Sequence, residues 1–274
     1  MKPLWVSLST YGGVTTGEAL QVLWAAGVRH IELAIGVKPS PDTTATLRHY
    51  QQQGMHYRAH HALVWEEVRP KAAKLPFNLA NSFDKRYFER LTDWLAAMNI
   101  TAYSVHAGSF TRADDPTDAY DRFVTHLEKL RQLCGDRQIR LAVETMYPNM
   151  AAEGSQYLIQ NAVQVEQLLQ DLPDIDLVVD MAHLNIWKAE SILQKLQLLD
   201  RFDNRLLEIH ISDNDGQRDS HTTISDRTWW LPYAPLFPPD VPIVLESRMN
   251  RWSVEQVRQQ VQTVQAIVNG RTQP

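Results

Sequence analysis

Four side chains able to hold a divalent cation sit at the ends of four successive aliphatic runs. Glu144 ends RLAVE, Asp180 ends LVVD, His210 falls in LLEIHIS and Glu246 ends PIVLE. Burying such groups unpaired is expensive, so a folding chain gains nothing by placing them there. A single bound cation removes the cost for all four at once. Three carboxylates and one imidazole suit Zn, Mn, Mg or Co, ions that act as Lewis acids or support hydrolysis. The competing reading of any one of them alone is a strand-end ion pair or cap.

Further candidates surround this set. His106 ends AYSVH, His61 or His60 ends MHYRAHH, and His183 lies three residues after Asp180. In DNDGQRDSH, Asp219 and His221 are two apart and project the same way if that segment is extended. Each of these either adds a ligand, raising the count from one ion to as many as three, or supports a ligand or substrate by hydrogen bonding. His30, His49, His56 and His126 fall at strand starts or in helices and are read as structural or surface groups.

The elements that must position these residues alternate along the chain. The strand candidates are LWVSLS, HIELAI, MHYRAHH, AYSVHAG, RLAVET, DLVVDMAH, LLEIHIS and VPIVLES, with helical patterns between them and after the last. Apolar positions in the helical stretches recur at i, i+3, i+4 and i+7, and several stretches end at Gly27, Gly54, Gly135 or Gly270, as left-handed C-caps would. Strict alternation implies right-handed crossovers and a parallel sheet. Eight such units in 274 residues point to a single (β/α)8 TIM barrel, residues 1–274 as one domain, with the metal site at the C-terminal face of the strands. GGVTTG after the first strand lacks the GxGxxG spacing of a dinucleotide loop. Residues 62–84 and 213–240 are long enough to be lids over the barrel mouth.

Composition narrows the partners. A formal net charge of −5 argues against a surface that coats nucleic acid. The loops expected on top mix Arg58, Arg69, Lys71, Lys74, Arg112, Arg218, Arg227 and Arg248 with at least as many acids, Glu66, Glu67 and Asp213 among them. The lone cysteine, Cys134, has no internal disulfide partner and falls on an apolar helical pattern. With no signal-peptide signature and no apolar run long enough to span a bilayer, a cytoplasmic protein without membrane association is expected. Of the aromatic residues near the mouth (Trp5, Tyr11, Trp65, Tyr147, Trp187, Trp229, Trp230), some should line it and most should pack; Trp187 is a candidate substrate-binding residue. Arg218 and Arg248 are candidate contacts for a phosphate or carboxylate.

VETMYPN at 143–149, VVDMAH at 178–183, HISDNDGQRDSH at 210–221 and VLES at 244–247 resemble the xylose isomerase-like TIM-barrel superfamily, over nearly the whole chain. In its sugar and sugar-phosphate isomerase/epimerase branch, the resemblance implies Glu144, Asp180, His210 and Glu246 as metal ligands, with Glu144 and Glu246 also moving the proton. His183 then matches a substrate-contacting histidine, and Glu32 in HIELAIG matches a glutamate common in that branch. The expected function is isomerisation or epimerisation of a sugar, sugar phosphate or related hydroxy-carbonyl compound through an enediolate, in a protein that could dimerise. Two alternatives use the same scaffold. One is dehydration of a cyclitol ketone. The other is zinc-dependent cleavage at abasic sites in DNA, as in the endonuclease IV type, for which His61, His106, Glu144, Asp180, His183, His210, Asp219, His221 and Glu246 supply a full ligand set. Against the nuclease, TMYPNMAAEGS follows Val143-Glu144 where that branch has a small glycine-rich turn, and LNIWKAE follows His183 where it has an alanine–glycine run.

Overall fold

Side-chain alternation along a strand sends every second residue into a closed barrel, so strand closure decides what this chain buries in its lumen. The computed structural model describes residues 3–38, 40–65, 67–69, 77–149 and 155–270. Its first half runs β1 (Leu4–Ser7), α1 (Thr16–Ala25), β2 (His30–Leu33), α2 (Thr43–Gln52), β3 (His56–His60), α3 (Lys85–Ala97), β4 (Ala102–His106), β5 (Ser109–Phe110) and α4 (Pro116–Gly135). The second half runs β6 (Arg140–Glu144), β7 (Gln156–Tyr157), α5 (Ala162–Asp171), β8 (Asp176–Asp180), α6 (Met181–Ile186), α7 (Ile192–Arg201), β9 (Leu206–Ile211), β10 (Ile243–Leu245) and α8 (Val254–Val268). Eight strands close into a barrel in the order β1-β2-β3-β4-β6-β8-β9-β10, all neighbours parallel. This is the expected (β/α)8 architecture, strand for strand.

The helices start on side-chain caps. Thr15 with Glu18, Ser191 with Gln194 and Ser253 with Gln256 each form a reciprocal capping box. Gly27, Gly54 and Gly270 take the left-handed conformation expected of them, but Gly135 does not: α4 runs through it, and Gln138 adopts the positive φ instead. Apolar residues of the helices' inner faces pack against the outward residues of the strands in one continuous core. Inside the barrel, Ala142, Val178 and Leu207 form a separate small apolar cluster. Leu207 is the extra residue of a register shift between β8 and β9, where Leu177 pairs with Leu206 but Val178 with Glu208.

Two features depart from the alternating pattern. A short antiparallel ribbon, β5 with β7, stands outside the barrel order. The run DLVVDMAH is not one strand: it stops at Asp180, whose Oδ1 accepts from the backbone N–H of Ala182 (2.6 Å) and His183 (3.0 Å) and so caps α6. Of the two long loops, Glu66, Lys71 and Lys74 lie outside the described residues. Arg58, expected on a top loop, is instead buried within β3. No helix is long and apolar enough to cross a membrane among the described residues.

Candidate metal centre

Glu144 ends β6, Asp180 ends β8, His210 lies one residue from the end of β9, and Glu246 directly follows β10. The shared register brings one ligand atom from each within 4.8 Å of all the others. All four are buried. Capping occupies Asp180 Oδ1, while its Oδ2 makes no hydrogen bond, and neither does the buried His210 Nδ1. That nitrogen faces Glu144 Oε1 at 3.4 Å and Glu246 Oε2 at 3.6 Å. The opposite ring nitrogen, Nε2, meets Glu32 Oε2 at 3.1 Å and Glu208 Oε1 at 3.5 Å. A histidine held at one nitrogen by carboxylates, with the other turned toward two more, is an arrangement that suits a metal ligand. The donor set fits a divalent cation, which would satisfy the orphaned atoms and offset the crowding of negative charge.

Glu144 is also shared with a second set. His60, His106 and Glu144 place ligand atoms within 4.8 Å of one another, as do Glu32, His60 and His210. His106 Nε2 lies 2.8 Å and His60 Nε2 3.5 Å from Glu144 Oε2. Between His60 and His61, it is thus His60 that turns inward. His61 has left the strand at φ 52° and stacks on His106 with centroids 4.0 Å apart. On the other flank, Asp219 Oδ2 joins His183 Nε2 at 3.5 Å and His221 Nε2 at 2.9 Å. His183 Nδ1 meets the carbonyl of Thr145 at 2.7 Å.

Electrostatics follow from this crowding. Burial alone would raise the Glu144 carboxyl, but His106 and His60 outweigh it and hold the group well below the usual range. Glu246 behaves alike, burial being overcome by His210 and then His221. Burial pushes Asp180 up to about 6 and Glu32 up to about 7. It pushes His60 down to about 4. His221 rises to about 9, because its hydrogen bond to Asp219 and the nearby Glu246 outweigh burial.

A cavity of about 120 Å³ opens over the ligands, walled by Ser9, Ala34, Ile35, Met146, Tyr147 and Tyr157 together with His60, His61, His106, Glu144, His183, Asp219, His221 and Glu246. Ser9 donates its hydroxyl to Glu246 Oε1 at 3.0 Å. Gly36 lets β2 approach this turn: a Cβ there would lie 2.0 Å from the Ser9 carbonyl oxygen. Other expected substrate contacts fall elsewhere. Trp187 is a buried packing residue whose indole donates to the Met146 carbonyl, so it does not stack at the mouth. Glu32 is sealed beneath His210 rather than facing the cavity. Arg218 is exposed outside this wall, and Arg248 lines a neighbouring space.

Ser9, Tyr157 and the buried Arg58 and Glu208 escaped sequence reasoning. For the last two a signal existed, since Arg58 shares the inward alternation of His60, and Glu208 that of His210. Tyr157 sits on a two-residue strand, too short to announce itself.

Comparison with known proteins agrees with this architecture. A family profile described as xylose isomerase-like TIM barrel matches residues 25–237. No curated protein matches the sequence. Among solved structures, a D-tagatose 3-epimerase-like protein superposes with a TM-score of 0.73 at 15% identity, covering 98% of this chain and 99% of its own. An L-ribulose 3-epimerase gives 0.71 at 13%, covering 99% and 96%. The 3-keto-D-glucoside 4-epimerase of E. coli gives 0.69 at 14%, covering 97% and 100%.

Proposed function

The chain belongs to the xylose isomerase-like TIM barrel family, and from that premise we propose that it is a divalent-metal-dependent isomerase or epimerase of a sugar or related hydroxy-carbonyl compound. The observation that carries this reading is the placing of two carboxylates, Glu144 and Glu246, in one ligand set with Asp180 and His210 beneath a small cavity. When bound, the cation would polarise a carbonyl and stabilise the negative charge that develops on its oxygen. The chain's own residues do the rest. Glu144 and Glu246 are both held ionised at neutral pH, so either can take the proton next to the carbonyl and return that same proton, whereas return from the opposite face needs the other carboxylate first to take up a proton from solvent. Ser9 fixes the Glu246 carboxylate through Oε1. Ala34, Ile35 and Met146 keep the cavity wall apolar, while Tyr147, packed on His183 with centroids 4.8 Å apart, offers a ring face to a sugar. The epimerase names of the superposed structures agree with this chemistry. We read residues 1–274 as one domain devoted to it.

The test is solvent deuterium uptake next to the carbonyl in a panel of ketoses with Mn²⁺-loaded protein. Exchange that disappears in Glu246→Gln supports the reading. Absence of exchange with every ketose, or exchange unaffected in both Glu144→Gln and Glu246→Gln, sinks it.

A second reading rests on the additional histidines. His60 and His106 share Glu144, and His183 and His221 share Asp219, so more than one cation could be held side by side, as the clustered ions of phosphodiester cleavage are. Three zinc ions per chain with metal-dependent nicking of an abasic-site duplex would favour it over isomerisation.

A further inference from the structure

Next to the cavity over the candidate ligands lies a second one of about 390 Å³, and Ser9 and His221 wall both, so the two are adjacent. Their linings differ in kind. The first has Ala34, Ile35, Met146 and two tyrosines around the ligands. The second adds Thr10, Gly12, Asn250, Arg248 and Arg251 to the shared pair, with neither an apolar side chain nor a carboxylate in its wall. The turn bearing the two arginines is tied across this space: Asn250 Nδ2 donates to the Gly12 carbonyl at 2.9 Å, and the Arg248 N–H to the His221 carbonyl at 2.9 Å.

Some surface arginines of this acidic chain have acid partners: Arg131 meets Glu128, Arg137 meets Asp93, Arg140 meets Asp176 and Arg201 meets Glu166. Others, Arg48, Arg86 and Arg112 among them, have no ion pair among the described residues. Arg248 and Arg251 have none there either, and what sets them apart is that they share one cavity wall. Beside a bowl crowded with Glu144, Asp180, Asp219 and Glu246, two unpaired guanidinium groups on a polar wall are matched to an anion, since the planar fork binds phosphate or carboxylate oxygens in pairs.

We propose that this second cavity holds an anionic substituent of the substrate, a phosphate ester or a carboxylate, while the reacting end lies over the metal ligands. The assignment of the reacting end rests on the isomerase reading; the anion site does not.

Calorimetric titration of Mn²⁺-loaded protein with D-fructose, D-fructose 6-phosphate and D-fructuronate tests it, with inorganic phosphate titrated into EDTA-treated protein as a metal-independent probe. At least one charged ketose should bind about tenfold or more tightly than fructose, and inorganic phosphate should bind the metal-free protein. Arg248→Gln/Arg251→Gln, both exposed positions, should abolish both effects while leaving Mn²⁺ affinity and the thermal midpoint unchanged. Preference for the phosphate or for the uronate names the substituent. Equal binding of neutral and charged ketoses, or a charged-ligand advantage that survives the double substitution, overturns the proposal. An arginine-dependent preference without deuterium exchange in any ketose would sink the isomerase reading and keep this site. Exchange with a neutral ketose and no preference for anions would do the reverse.

Discussion

Arg58 Nε and Glu208 Oε2 face each other at 2.8 Å inside the barrel, both side chains shut off from solvent. The contact is close but poorly aligned for hydrogen bonding, so charge neutralisation rather than a directed bond holds it. Arg58 also lies over the Trp5 ring, 4.9 Å from its centroid, and donates to the Leu207 carbonyl. Through Glu208 Oε1 the pair reaches His210 Nε2, so it forms the floor beneath the candidate metal centre.

Removing one partner strands the other charge in the lumen. Arg58→Met should therefore cost about 3–5 kcal/mol of stability, measured by urea unfolding in the presence of EDTA. Arg58→Met combined with Glu208→Gln should recover part of the loss, because no buried charge is then left unpaired. A single substitution costing under about 1 kcal/mol, as surface pairs do, would show that the pair carries no such role.

The two carboxylates below His210 give opposite pH dependences. Burial would raise Glu208, but Arg58 overrides it and holds the group at about 2, below its ordinary 4.5. Its stabilising contribution is present above 4.5 and is lost as pH falls toward 2. Glu32 is raised by burial from 4.5 to about 7. The folded state favours its protonated form, so that contribution is full below 4.5 and disappears as pH rises through 7. Metal-free protein should lose stability between those values on the way up, and Glu32→Gln should flatten that limb. Unfolding curves across the range decide it; an unchanged limb in the variant refutes the assignment.

Much of this was legible in the sequence, and the failures have physical causes. Eight strands and the position of Glu144, Asp180, His210 and Glu246 follow from period-two runs that each end in a ligand-type residue. Where a strand ends, alternation ceases to inform: His60 and His61 are adjacent candidates, and only the departure of His61 to positive φ selects His60. The apolar run LVVDMAH is compatible with strand throughout, yet Asp180 turns it into a helix by capping. The lumen placing of Arg58 and Glu208 stayed hidden because charged residues in a strand read as solvent-facing until the barrel closes, and Glu32, singled out as a substrate contact, lies in the same layer beneath His210. Trp187 looked like a mouth residue for want of any signal for its bond to Met146.

Asp180 has two separable features, since Oδ1 caps α6 and Oδ2 is left without a hydrogen bond in the candidate ligand set. Asp180→Asn keeps an oxygen for the cap and removes a ligand charge. Its metal-free stability should stay near that of the parent while Mn²⁺ affinity falls by about tenfold or more. Asp180→Ala should in addition lose about 1 kcal/mol with the cap. Calorimetric metal titration and EDTA unfolding separate the two; equal metal-free stability of Asn and Ala variants would remove the capping role.

Ser9 offers the most direct link between geometry and rate. Its hydroxyl donates to Glu246 Oε1 at 3.0 Å, an interaction stronger with the ionised carboxylate than with the neutral acid. Burial already works to raise Glu246, and His210 and His221 work to lower it. Losing a donor to the charged form moves the balance upward. In Ser9→Ala the acid limb of the deuterium-exchange rate should therefore shift to higher pH, by about one unit or less, with the plateau reduced only modestly. Ser9→Thr, which restores a hydroxyl, should return the limb toward its original position. A plateau loss with no shift of the limb would mean that Ser9 acts on substrate placement and not on the Glu246 proton.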